Sequence, residues 1–168
     1  MKALVKIGTL FLAILVLSCG GKAEKKEGFS MKTKKTKTTA AVPTKKASST
    51  IAPSKRIDLE NKGVGPIKSL ELPAEINQEI AAKGADIFKK MCTACHRATK
   101  KFIGPPPSGI LKRRSPEWVM NMILNPDEMV KKDQLAKDLL MEFNGSPMAN
   151  QSLSEEEARA VLEYFRTL

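Results

Sequence analysis

The chain has 168 residues and a formal net charge of +11, from 29 Lys and Arg against 18 Asp and Glu. That is room for one domain plus appendages. Aromatic residues are 5% of the total, with three cysteines and one histidine. This leaves little for a closed zinc site of four Cys or His ligands and far too little for a disulfide scaffold.

The positive charge is unevenly placed. Residues 1–19 carry +2, residues 20–56 carry +9, and residues 57–168 sum to zero. The excess therefore lies outside the expected folded domain. Aromatics do not interleave with basic residues as a base-stacking platform would require, so no nucleic-acid partner is expected.

The N-terminus reads MKALVKIGTLFLAILVLSCGG. Lys2 and Lys6 precede an apolar run from Ile7 to Leu17, too short to span a bilayer of about 30 Å but suited to a secretory leader. Val16-Leu17-Ser18-Cys19-Gly20 resembles the bacterial lipoprotein cleavage box. The resemblance implies a signal peptide over residues 1–18 and lipidation of Cys19. It places the protein in the bacterial cell envelope, anchored by lipid with its domain on the periplasmic side. From Cys19 to residue 56 the chain is Lys, Thr, Ser, Ala and Pro with few apolar side chains. Such a segment cannot offset its ordering entropy by burial and is expected to be a disordered tether. Residues 57–73 are predicted as an extended lead-in, and 74–168 as the domain.

The chemistry lies in Cys92-Thr93-Ala94-Cys95-His96. C-x-x-C-H is the attachment motif for c-type haem. Two thiols on one turn add across two vinyl groups, and the next residue brings an imidazole to the iron. A thioredoxin-like reading would require a preceding strand; the pattern here is helical. A zinc site lacks further ligands, and a Cys92–Cys95 disulfide leaves His96 unexplained.

With Ile76, Ile80, Gly84, Ile87, Phe88 and Met91 recurring three or four residues apart before the motif, residues 74–168 resemble a small class I cytochrome c. The resemblance implies an all-α fold of four to five helices around one covalently bound haem c. It also implies that Gly84 admits the C-terminal helix at close range and that Phe88 packs on it. Pro73 is predicted to stand at the start of this first helix.

One histidine excludes bis-His ligation. Met91 adjoins the motif, and Met120, Met122, Met129 and Met141 sit in periodic runs where Met usually fills core. Met148 lies instead in Asn144-Gly145-Ser146-Pro147-Met148-Ala149-Asn150, a segment of turn residues. By resemblance it is the distal iron ligand, with Met141 the runner-up. In Gly104-Pro105-Pro106-Pro107 the resemblance gives the Pro105 carbonyl the role of orienting His96; a stiff extended loop is the alternative reading. Ser115-Pro116 predicts a helix start, closed at Asn125-Pro126. Further helices are predicted over 133–143 and from the capping box at Ser154–Glu157 onward. Trp118 is read as packing or as bonding a haem propionate.

Residues 97–114 hold six basic residues and no acid, which predicts a positive face that steers an acidic redox partner. The expected function is a membrane-anchored electron carrier and not an enzyme. It would take electrons from a quinol-oxidising complex and pass them to a terminal reductase or oxidase. The Ser115-Pro116-Glu117-Trp118-Val119 stretch is similar to small cytochromes associated with nitrous-oxide reductase. A haem-based sensor or peroxidase-like enzyme with a displaceable distal Met is the alternative. A structural lipoprotein with an incidental motif is the third reading.

Overall fold

The computed structural model describes residues 51–168. The leader, Cys19 and the tether as far as residue 50 lie outside the described residues. Five α-helices form among the described residues: α1 Gln78–Ile87, α2 Pro116–Leu124, α3 Pro126–Lys132, α4 Gln134–Glu142 and α5 Glu155–Arg166. No strand forms among them; a parallel bridge joins Asp58 to Arg114. The all-α expectation holds.

α1 starts four residues later than predicted. Asn77, not Pro73, is its cap, the side chain accepting from the Ile80 amide at 3.0 Å. Pro73, Ala74 and Glu75 stay non-helical, and their carbonyls accept from the Arg166 guanidinium at 2.5, 3.0 and 3.3 Å. The C-terminal end of α1 widens into a π-helical turn, Phe88–Cys92, which delivers the first cysteine. Such turns are frequent at functional sites.

α1 and α5 cross at backbone distance. A Cβ on Gly84 would lie 1.9 Å from the Ala160 carbonyl oxygen, so only glycine fits there. One turn on, the buried Phe88 ring sits 5.4 Å from Tyr164 and 5.7 Å from Phe165, the latter edge-on. Both expectations drawn from the resemblance are met. Glu163, 1% exposed, ties the crossing together. It accepts from the Asn77 amide at 2.8 Å and pairs with Arg159 and Arg166 at 2.5 and 2.7 Å. Burial opposes its ionisation, but the bonds from Arg159, Asn77 and Arg166 outweigh this and hold its pKa below the usual carboxylate value.

Ser115 and Ser154 cap α2 and α5 as predicted, the latter in a complete capping box. Asn125-Pro126 ends α2, yet Pro126 is also the first residue of α3, a helix the sequence reading missed. Proline suits that position because its absent N–H is one of the unpaired helix-start donors. Asp133 caps α4 through the Ala136 amide at 2.8 Å.

The largest departure is the segment before α1. The disordered tether expected through residue 56 gives way by residue 51, and Pro53–Lys55 forms a 3₁₀ turn bonded to α4. Ser54 donates to Glu142 from its amide and hydroxyl at 2.7 and 2.5 Å, and Arg56 pairs with Asp138 at 2.6 Å. Further on, the Asn121 amide group donates to the Lys62 and Ile67 carbonyls at 2.8 and 2.9 Å. Its oxygen accepts from the Ile67 amide at 2.9 Å. Met129 sulfur accepts from the Val64 amide at 2.9 Å. The lead-in is irregular as expected, but it is bonded to α2, α3 and α4 along its length. Many of its anchors are backbone groups, which hydropathy does not register.

Candidate haem site

An apolar cavity that opens to solvent lies among the helices. Phe88, Trp118, Val119, Ile123, Leu139 and Phe143 give it apolar walls. Cys92, Cys95, His96, Pro105 and Met148 line the same cavity. Four predicted chemical groups, two thiols, an imidazole and a thioether, thus converge on one apolar space.

Cys92 is half-buried, Cys95 exposed, and both are free thiols. Before haem attachment, burial and then the neighbouring Cys95 push the pKa of the Cys92 thiol up to about 11. A redox-active C-x-x-C pair requires the opposite shift. Among the described residues no group of three or more His, Cys, Asp or Glu side chains is placed to hold a bare metal ion.

His96 Nδ1 lies 2.8 Å from the Pro105 carbonyl oxygen. A carbonyl only accepts, so Nδ1 carries the hydrogen and donates it, leaving the Nε2 lone pair free. Such a bond fixes the ring and raises its basicity as a metal ligand. Gly104, not singled out from the sequence, is the other side of this arrangement. A Cβ there would lie 2.5 Å from His96 Cε1, and the Gly104 amide donates to the Cys95 carbonyl at 2.9 Å. The loop closes on the imidazole because residue 104 has no side chain.

The methionines separate cleanly. Met141 is 74% exposed and away from the cavity; Met120 and Met129 are buried in the core. Met122 and Met148 reach the cavity wall, and only Met148 comes from a loop. Left-handed backbone at Asn144 and Gly145, φ 59° and 71°, turns the chain out of α4 into that loop.

Trp118 is buried, with its N–H donating to Asp133 Oδ1 at 3.2 Å. The positive face requires a correction. Arg114 is 2% exposed and donates to the Pro53, Arg56 and Arg113 carbonyls. Arg113 is half-buried against the Ser108 and Gly109 carbonyls. Lys100, Lys101 and Lys112 remain exposed. Counting charges along the chain could not separate structural arginines from surface lysines.

The site residues fit a haem held by C-x-x-C-H: apolar walls, an oriented imidazole and a soft sulfur donor. The profile of the cytochrome c family matches residues 81–168. The chain belongs to the cytochrome c family. Its cofactor is haem c, bound covalently, and its function is electron transfer through the haem iron. The fold is similar to cytochrome c from Rhodothermus marinus, with 43% identity over 61% of this chain and 88% of that one, TM-score 0.59. An engineered form of that cytochrome is 42% identical over 61% of this chain and 89% of its own, also at TM-score 0.59. No curated protein sequence matches.

Proposed function

We propose that this cytochrome is a membrane-anchored carrier of single electrons. In this reading Cys92 and Cys95 form the haem thioethers, His96 is the proximal ligand and Met148 the distal one. The observation that carries the reading is the meeting of these four side chains at one apolar cavity, with His96 already oriented by Pro105.

Each residue contributes a distinct part. Pro105 holds the Nδ1 proton, so His96 offers a fixed Nε2 lone pair. The Met148 thioether favours the reduced iron relative to a second imidazole and so raises the potential. Bound here, haem supplies the one-electron Fe(II)/Fe(III) couple. Were His96 and Met148 both to hold the iron, no place would remain open for a substrate, which supports a carrier over an enzyme. Exposed Lys100 and Lys101 adjoin Phe102 and Ile103, 45% and 46% exposed. A positive rim beside an apolar patch suits brief contact with an acidic redox protein. The leader sequence supports lipidation at Cys19 and a periplasmic haem domain. The donor is then a quinol-oxidising complex and the acceptor a terminal reductase or oxidase. The Ser115–Val119 stretch supports nitrous-oxide reductase as that acceptor.

Optical spectroscopy of the oxidised holoprotein tests the ligand set. The weak red charge-transfer band of Met-ligated ferric haem is expected in the wild type and in Met141→Ala, and is expected to vanish in Met148→Ala. Persistence of the band in Met148→Ala would overturn the assignment.

A further inference from the structure

The family profile begins at residue 81, yet the haem cavity extends beyond what residues 81–168 enclose. Ser54, from the arm before α1, lines it together with Arg113 and Arg114. Arg114 joins arm to cavity. Its guanidinium donates to the Pro53 and Arg56 carbonyls at 2.7 and 2.5 Å, and lies 5.3 Å over the Trp118 ring. Beside it, the Asp58 amide donates to the Arg113 carbonyl at 2.9 Å.

We propose that the Pro53–Lys55 turn, latched by Arg114, closes one side of the haem cavity through Ser54 and tunes the reduction potential of the cytochrome. Arg114 is a positioning residue: its forked bonds to two backbone carbonyls hold Ser54 at the edge of the cavity. Lysine has no such fork. The physical basis is solvation. Oxidised iron carries one more positive charge than reduced iron, and a low-dielectric enclosure disfavours the more charged state. Opening the arm admits water and lowers the potential. The inference rests on the haem-site reading above.

The test uses full-length holoprotein with two substitutions. Arg114→Lys keeps the charge but loses the fork. Asp58→Pro removes the amide bonded to Arg113 and leaves Arg114 intact. In both, the Fe(III)/Fe(II) ratio at fixed ambient potential is expected to rise roughly three- to tenfold, tenfold being 59 mV for one electron. The methionine band should remain, and trypsin should cut faster after Lys55 and Arg56. Faster cutting with unchanged potentials would overturn the proposal, as would a shift in Arg114→Lys alone. A wild-type protein that carries no covalent haem would overturn the site reading as well, whereas unshifted haem-loaded variants overturn the latch alone.

Discussion

Replacing Gly84 by alanine pits two effects of opposite sign against each other. In an ordinary helix interior the change is favourable by about 0.8–1.0 kcal/mol, because glycine loses more backbone entropy on folding. Here the added Cβ would stand 1.9 Å from Ala160 O, 2.4 Å from Ala160 C and 2.9 Å from Val161 N. All three are backbone atoms of α5 and cannot rotate away. Ordinary contact is about 3.5 Å, so the helices must part by roughly 1.5 Å. A gap of only about 0.5–1 Å already forfeits a quarter to a half of a dispersion contact. The Phe88 contacts with Tyr164 and Phe165, one turn away, would be weakened with it. Overpacking costs about 1–3 kcal/mol in typical cores, and a backbone clash belongs at or above the top of that range. A net loss of about 3 kcal/mol lowers the Tm by roughly 12 °C in a domain near this size. Thermal unfolding of the holoprotein followed by circular dichroism measures it. Exposed Ala82→Gly, in the same helix, serves as the propensity control and should cost about 1 kcal/mol. A Gly84→Ala protein as stable as the wild type, or more so, would refute the steric reasoning.

Two further outcomes follow from contacts described above. Gly104→Ala should push the His96 ring off the Pro105 carbonyl, so haem-loaded protein is expected to show altered optical bands and a Tm lower by several degrees, roughly 1–3 kcal/mol of overpacking. An unchanged spectrum and Tm would remove Gly104 from the site. Glu163→Gln should cost about 2 kcal/mol at pH 7, below the 3–5 typical of a broken buried pair because Arg159 and Arg166 reach solvent. Its native pKa is depressed, so the carboxylate's stabilisation is complete above the unfolded value of about 4.3 and lost as pH falls through the native one. The Tm gap between wild type and Glu163→Gln should therefore narrow in acid, and a gap constant down to pH ~3 would contradict this.

What was legible in the sequence was local. C-x-x-C-H and the serine caps of α2 and α5 each announce themselves within a few residues, because helix starts depend on side-chain type at fixed spacing, whereas the roles of Gly84 and Phe88 came from the resemblance. The Pro105 carbonyl came from the resemblance and stands 2.8 Å from His96. What escaped was non-local or carried by backbone. Pro126 read as a terminator because a proline ends one helix and starts the next with the same chemistry. Residues 51–56 read as tether because the Pro53 and Arg56 carbonyls are taken up by Arg114, more than fifty positions away. Arg114 itself was counted as surface charge, since burial of an arginine leaves no mark on composition.

The meeting of Gly84 with Ala160 has a bearing on biogenesis. A chain made from its N-terminus produces α1 and the cysteines early, but the partner against which α1 is shaped comes seventy-odd residues later. Until α5 exists, α1 has no close neighbour to dock on, and a ten-residue helix alone in water is marginal. Both thiols therefore stay approachable through most of synthesis, and Cys92 is half-buried once the fold closes. The fold defers its own completion, which leaves an interval in which a prosthetic group can be welded to an open segment.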